Sequence, residues 1–340
     1  MKRMSRPSHK NEIERREGVL CQVVKKDGQE RIYMNVDTFL DSGAFSAWTK
    51  GVEIDIQKYI EFIKQNQDVL TVYANLDVIS PGRFSMGTKE SAELTLRNQK
   101  IMEEAGLSPL PVFHIGEPFE YLEYYINHYD YIGLGGMVGK PRQTLDTWLD
   151  VVFGRYICDE RGYPKVKVHG FGLTSVSLMV KYPWYSVDSS TWIKDAFLGE
   201  VMVPYLRQGK WIYDEGCWII CVTERRKKEK YHIANLPLLK RKVVLKYFEE
   251  MGFPLGKSRL EKVPQSYEPK ENERWVERKP KDPNEKRLLE IIEEPGLCNS
   301  YVLRRKLNIL FFQNLQKCIP EWPRPLKKRG IKKEGMCFEL

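Results

Sequence analysis

The sequence predicts an α/β fold: a (β/α)8 TIM-type barrel, irregular at its start, with a basic, α-rich C-terminal extension. Three observations carry this expectation. From about residue 33 to 199, short apolar runs alternate with amphipathic segments, and repeated strand–helix units of that kind build a parallel sheet with helices outside. Polar residues close six of the apolar runs: Asp41, Asp77, His114, the pair Gly135–Gly136, His169 and Asp188. A barrel gathers all such ends on one face, where the βα loops make sites, whereas an open doubly wound sheet spreads them along an edge. Beyond residue 200 the alternation stops, and Lys and Arg begin to outnumber the acids.

The elements follow in chain order. VLCQVV and RIYMNV would have to supply the first two barrel strands, yet they read more readily as a hairpin around KKDGQE. YMNVDTFL precedes IDIQKYIEFIKQN, where Ile56, Tyr59, Ile60 and Ile63 fall at helical spacing. LTVYANLDVI leads to TKESAELTLRNQKIMEEAG, a helix with Thr88 as N-cap and Gly106 as its stop. LPVFHIG leads into EPFEYLEYYINHY, and YIGLGG into a helix from near Pro141 to about Glu160. VKVHGFG, SVSLMVKY and WYSVDSSTW close the repeating part. KWIYDEGCWIICVTE then suggests two short strands and LPLLKRKVVLKYFEEMG a helix, while residues 254–284, rich in Pro and charge, read as a long loop. DPNEKRLLEIIEE suggests a helix starting at the Asp282–Pro283 step, and YVLRRKLNILFFQNLQKCI a last one. The expected divisions are a basic N-terminal segment and hairpin over 1–32, the barrel over 33–223, and the extension over 224–340.

Composition narrows the function classes. A hydrophobic content of 42% supports a substantial core. No apolar run reaches the roughly 18 residues that span a bilayer, and the basic N-terminus lacks the apolar stretch of a signal peptide. Seven scattered cysteines suit a reducing compartment. A soluble, cytoplasmic protein is expected, without a membrane partner. The net charge of +9 is uneven: residues 224–340 hold 29 Lys and Arg against 17 Asp and Glu, or +12, leaving −3 for the rest. Such asymmetry points to a polyanionic partner, DNA or tRNA. The clusters that would meet it include Arg225, Arg226, Lys227, Lys228, Lys240, Arg241, Arg304, Arg305 and the run KKRGIKK at 327–333.

The strand ends also resemble, in order, those of one family. DSGAF, ANLDVI, FHIGE, YIGLGGMVG, VHGFG and VDSSTW resemble the successive site elements of the tRNA-guanine transglycosylases and of their DNA-modifying relatives in phage and bacteria. The resemblance covers roughly residues 33–199 and implies a base-exchange enzyme. Asp188 would be the nucleophile that holds the sugar covalently, and Asp41 the general acid/base. Asp77 would read the N1–H and 2-amino edge of guanine or a 7-deazaguanine, because a carboxylate matches two donors on one edge. Phe45 would stack on the purine beside Ser42, and Gly135, Gly136 and Met137 would border its carbonyl edge. His114 and His169 stand where the family often has Gln and Met, as substrate contacts or as structural histidines. Asp41, Ser42 and Gly43 alone would equally suit a plain turn.

The chain departs from the tRNA enzymes at their zinc site. It lacks their Cys-x-Cys-x-x-Cys run and offers only Cys217, Cys221 and His232, with Cys298 or Cys318 as a fourth ligand. On a strand, Cys217 and Cys221 face one side, which suits core packing as well. No metal or cofactor is expected. The departure favours DNA as substrate, with a preQ0-like (7-cyano) deazaguanine as the incoming base. The alternatives are a tRNA-guanine transglycosylase, a non-catalytic nucleic-acid-binding subunit, and a barrel glycosidase acting on soluble nucleosides.

Overall fold

The computed structural model describes the backbone of residues 12–16, 19–26 and 29–34, and residues 38–80, 87–282 and 284–326 with their side chains. The chain divides into two compact units, Met1–Gly139 and Lys140–Leu340. This division does not fall at residue 223, where the change in charge places a boundary.

The first unit begins with β1 (Glu12–Arg16), β2 (Val19–Lys26) and β3 (Gln29–Met34). They form an antiparallel meander, with Lys26 opposite Gln29 across the turn, so the hairpin around KKDGQE is present. Parallel pairing begins with β4 (Phe39–Leu40) beside β5 (Val72–Tyr73). It continues with β6 (Val112–His114) beside β7 (Tyr131–Gly135), and Ala74 and Leu110 form a parallel bridge. Helices α1 (Ala44–Lys50), α2 (Ile56–Gln65), α3 (Lys89–Glu104) and α4 (Phe119–His128) fill the intervals.

These helices obey their local chemistry. Asp55 caps α2 by accepting from the backbone of Gln57, and the apolar spacing buries Tyr59, Ile60 and Ile63 against Leu76, Met102 and Leu107. Thr88 and Ser91 form the reciprocal cap of α3, and Gly106, at φ +83°, takes the left-handed turn after it. Because α3 carries Asn98, whose amide donates to the Leu76 carbonyl at 2.8 Å, the helix also fixes the loop after β5.

In the second unit, α5 (Arg142–Val151) runs into a π-helical turn, Val152–Ile157. Next come β8 (Lys167–Gly170), α6 (Val176–Lys181), β9 (Ser186–Val187), parallel to β8, and α7 (Thr191–Leu198). Strands β10 (Glu200–Arg207) and β11 (Lys210–Cys221) make a long antiparallel hairpin with an irregularity at Pro204–Tyr205. KWIYDEGCWIIC is therefore one strand and not two. After α8 (Leu238–Glu250) come β12 (Lys257–Val263), β13 (Glu273–Trp275) and β14 (Arg287–Glu294), and then α9 (Tyr301–Cys318).

The C-terminal part is thus mixed rather than α-rich. β14 lies between β12 and β13 in an antiparallel sheet, so the expected loop over 254–284 contributes two strands. The helix expected in DPNEKRLLEIIEE is replaced by that central strand: partners on both edges outweigh the local helix signal at Asp282–Pro283. Helix α9 packs on α7 and β10. Its buried Asn308 accepts from the Met202 amide at 2.9 Å and donates to the Trp192 carbonyl at 3.1 Å. Among the described residues, no helix is long and apolar enough to cross a membrane.

Candidate functional site

The first unit holds a chain of hydrogen bonds that runs through three strand ends. Ser42 is buried just after β4, where Gly43 at φ +76° turns the backbone into α1. Its hydroxyl donates to Oδ1 of Asp77 at 2.7 Å. Nε2 of His114, the last residue of β6, lies 3.0 Å from Oδ2 of the same carboxylate. The other ring nitrogen, Nδ1, is 3.1 Å from Glu117 Oε1, and Glu117 Oε2 accepts from the His114 backbone at 2.9 Å. Glu117 is buried, and sequence reasoning missed its role; its only sequence signal is its place three residues after His114 in FHIGE.

Electrostatics follow from this enclosure. Burial alone would lower the His114 pKa, but the hydrogen bonds and charges of Asp77 and Glu117 prevail and push it up to about 10. The ring is an imidazolium at neutral pH, donating from both nitrogens. Burial would raise the Asp77 pKa, but His114 and then Ser42 hold it below the usual carboxylate range. Tyr59, whose hydroxyl donates to the Ala74 carbonyl at 2.9 Å, is pushed well up by burial and then by the charges of Asp41 and Asp77. Asp41 and Asp77 are therefore both within electrostatic reach of one phenol.

The remaining expected residues of this unit fall into two kinds. Asp41 is exposed, and Phe45 is exposed with its ring 5.8 Å from that of Trp48. Gly135, Gly136 and Met137 line the end of β7, with Met137 buried. A Cβ at Gly135 would stand 2.7 Å from Cδ2 of His114, so this glycine makes room for the imidazolium. Gly136 sits at φ +74°, the left-handed region, with Ile115 at 3.0 Å from its Cβ direction.

The second unit presents a more open carboxylate. Asp188 follows β9 directly, and its side chain is 53% exposed. Its Oδ1 accepts from the Gly172 amide at 2.7 Å and lies 3.4 Å from His169 Nε2. Burial would raise its pKa, but His169 and the Gly172 N–H outweigh it and keep the group ionised below the usual range. His169, buried at the end of β8, is fixed by Ser186 Oγ at 2.6 Å from Nδ1 and by the edge of Phe171 at 4.5 Å. Asp188 also borders a groove of about 1250 Å³ that reaches to α9.

The expected cationic surface is only partly present. Arg225, Lys227, Lys228 and Arg241 are exposed, although Lys227 pairs with Glu224 at 2.8 Å. Lys240 rests over Trp218 at 4.6 Å and Arg305 over Tyr301 at 5.7 Å. Two assignments need correction. Arg226 is ion-paired with Glu200 and donates to Tyr231 and to the Leu198 carbonyl. Arg304 is buried and donates to the carbonyls of Ala196, Leu297 and Cys298. Both are structural cations, because a guanidinium's five donors satisfy several acceptors at once. The run 327–333 lies outside the described residues.

The weak zinc candidates do not assemble. Among the described residues, no group of three or more His, Cys, Asp or Glu could hold a metal ion. Burial pushes the Cys217 thiol up to about 12 and raises that of Cys221, which disfavours the thiolate a metal needs. His232 Nδ1 accepts from the Ala234 amide at 3.1 Å, Cys298 is buried, and Cys318 is exposed. Comparison with known proteins adds no identity: no family model matches the chain, and neither a curated protein nor a solved structure is detectably similar to it.

Proposed function

We propose that this chain is a base-exchange transglycosylase that replaces guanine in DNA with a preQ0-like 7-deazaguanine. The observation that carries the reading is Asp188: an ionised, half-exposed carboxylate held at a strand end by a backbone N–H and a buried histidine. The Gly172 hydrogen bond and the His169 ring contact both fall on Oδ1, so Oδ2 is the oxygen that attacks the sugar. The reading takes the strand–helix repeats as a TIM-type barrel, with Asp188 as the nucleophile and Asp41 as the general acid/base.

The chemistry balances without a cofactor. Asp188 bonds to C1′ as the C1′–N9 bond breaks, and the electron pair leaves with the purine, which receives a proton from Asp41. The incoming deazaguanine then gives up its own N9 proton to Asp41, which is restored as the acid, and attacks C1′, releasing Asp188. Asp77 supports guanine selection. With Ser42 and His114 already donating to it, each oxygen keeps a second lone pair for the N1–H and 2-amino donors. The fixed imidazolium prevents Asp77 from turning into a donor that would accept adenine instead.

The test is direct. DNA and tRNA labelled in guanine are incubated with the full chain and 7-cyano-7-deazaguanine, and released guanine is counted while nucleosides are resolved by mass spectrometry. Release from DNA with a denaturation-resistant protein–DNA adduct is the expected result. Release from tRNA alone would reassign the substrate, and release from neither would remove the transglycosylase reading.

A further inference from the structure

The groove beside Asp188 has a composition of its own. It runs from the end of β9 to the C-terminal part of α9 and the segment after it. Rings of Tyr185, Trp192, Phe312 and Trp322 line it, and Gln313 and Gln316 add amides to the lining. Its volume of about 1250 Å³ exceeds the roughly 300–1,000 Å³ of a small-molecule pocket. A polymer segment, rather than one free base, fits that volume.

Charge narrows the class of polymer. Of the two cations on the lining, Arg324 is consumed by the carbonyls of Met179, Val180 and Tyr182, which leaves Lys317 against Asp188 and Glu321. The walls therefore do not grip phosphates. A cation lies at the margin: Lys167 sits over the Tyr185 ring at 4.4 Å. Aromatic faces inside with positive charge at the edge is the pattern that stacks bases and leaves the backbone outward. Amide side chains add donors and acceptors suited to base edges.

We infer that this groove holds unpaired bases of a single-stranded nucleic-acid segment that flanks the nucleotide engaged by Asp188. The inference rests on the transglycosylase reading for that last clause only. It names the substrate as a strand already opened, or opened on binding, because paired bases expose no face to a ring.

The experiment measures binding of a fluorescein-labelled single-stranded oligonucleotide to the full chain by anisotropy. Tyr185→Ala weakens binding about tenfold at both low and high salt, since stacking and not counterion release is lost. Tyr185→Phe retains the affinity, and Gln316→Ala, an exposed change that cannot unfold the chain, costs about threefold. Circular dichroism confirms that each variant is folded. Unchanged affinity in both Tyr185→Ala and Gln316→Ala overturns the proposal, as does equal binding of a blunt duplex or preference for a neutral oligosaccharide. The label-release assay separates the two readings: a full chain that binds the oligonucleotide and loses affinity in Tyr185→Ala, yet releases no guanine, retains the groove and removes the transglycosylase reading.

Discussion

Asp77 and Asp188 follow short parallel strands, and each has a histidine ring nitrogen against it, yet their surroundings oppose one another. The Asp77 side chain is 12% exposed and has a donor on each oxygen; the Asp188 side chain is 53% exposed, with the Gly172 N–H and the His169 ring both against one oxygen. Enclosure with a donor on each oxygen makes a fixed acceptor, since neither oxygen can move toward an electrophile. Partial satisfaction makes a held but reactive oxygen. On the proposed reading, two aspartates of identical intrinsic chemistry are divided into recognition and attack by burial and by how their neighbouring donors are distributed over the two oxygens.

That contrast can be broken by measurement. The largest effect belongs to Asp188→Asn: on the proposed reading it lowers base exchange by at least about a thousandfold, while the folding free energy changes by under about 1 kcal/mol because the group is half exposed. Label-release assays and urea unfolding check the two halves. A large loss of stability in this variant would put Asp188 in the same structural class as Asp77. His114→Ala behaves oppositely. It leaves Asp77 and Glu117 facing each other without their cation, costing about 3–5 kcal/mol in urea unfolding.

The third prediction sharpens the contrast through pH. His114 has its pKa raised from 6.5 to about 10 on folding. Its contribution is fully present below pH 6.5 and is lost as pH rises through about 10, because only the folded state retains the proton in between. The stability gap between the parent chain and His114→Gln therefore narrows across that window, as unfolding curves at successive pH values will record. The smallest effect is that of Gly135→Ala. Its methyl group meets the His114 ring at 2.7 Å, so overpacking costs about 1–3 kcal/mol, and the histidine's NMR resonances shift.

Local periodicity made much of the fold legible. Ile60 and Ile63 announced the buried face of α2, Thr88 and Gly106 marked the ends of α3, and the polar residues closing apolar runs do fall at strand ends such as His114 and Gly135. The three-stranded sheet of the second unit was not legible. RLLEIIEE alternates poorly because β14 lies between two partners and buries Glu290 along with Leu289, an acid satisfied by Arg274 and Ser258. Glu117 escaped notice for a related reason: an acid in a loop looks solvated until a buried imidazolium is found beside it. A run of charges likewise carries no sign of which member turns inward, and so Arg226 and Arg304 counted toward a surface they do not join.

Arg324 gathers the carbonyls of Met179, Val180 and Tyr182, which end helix α6 more than 140 positions earlier in the chain. A protein shortened to stop at residue 320 would strand three oxygen acceptors beneath the surface and loosen the stretch leading into β9. Damage from a cut near the terminus would then be felt at a distant aspartate, and an inactive truncation would mimic the loss of a nucleic-acid tail while reporting a missing rivet.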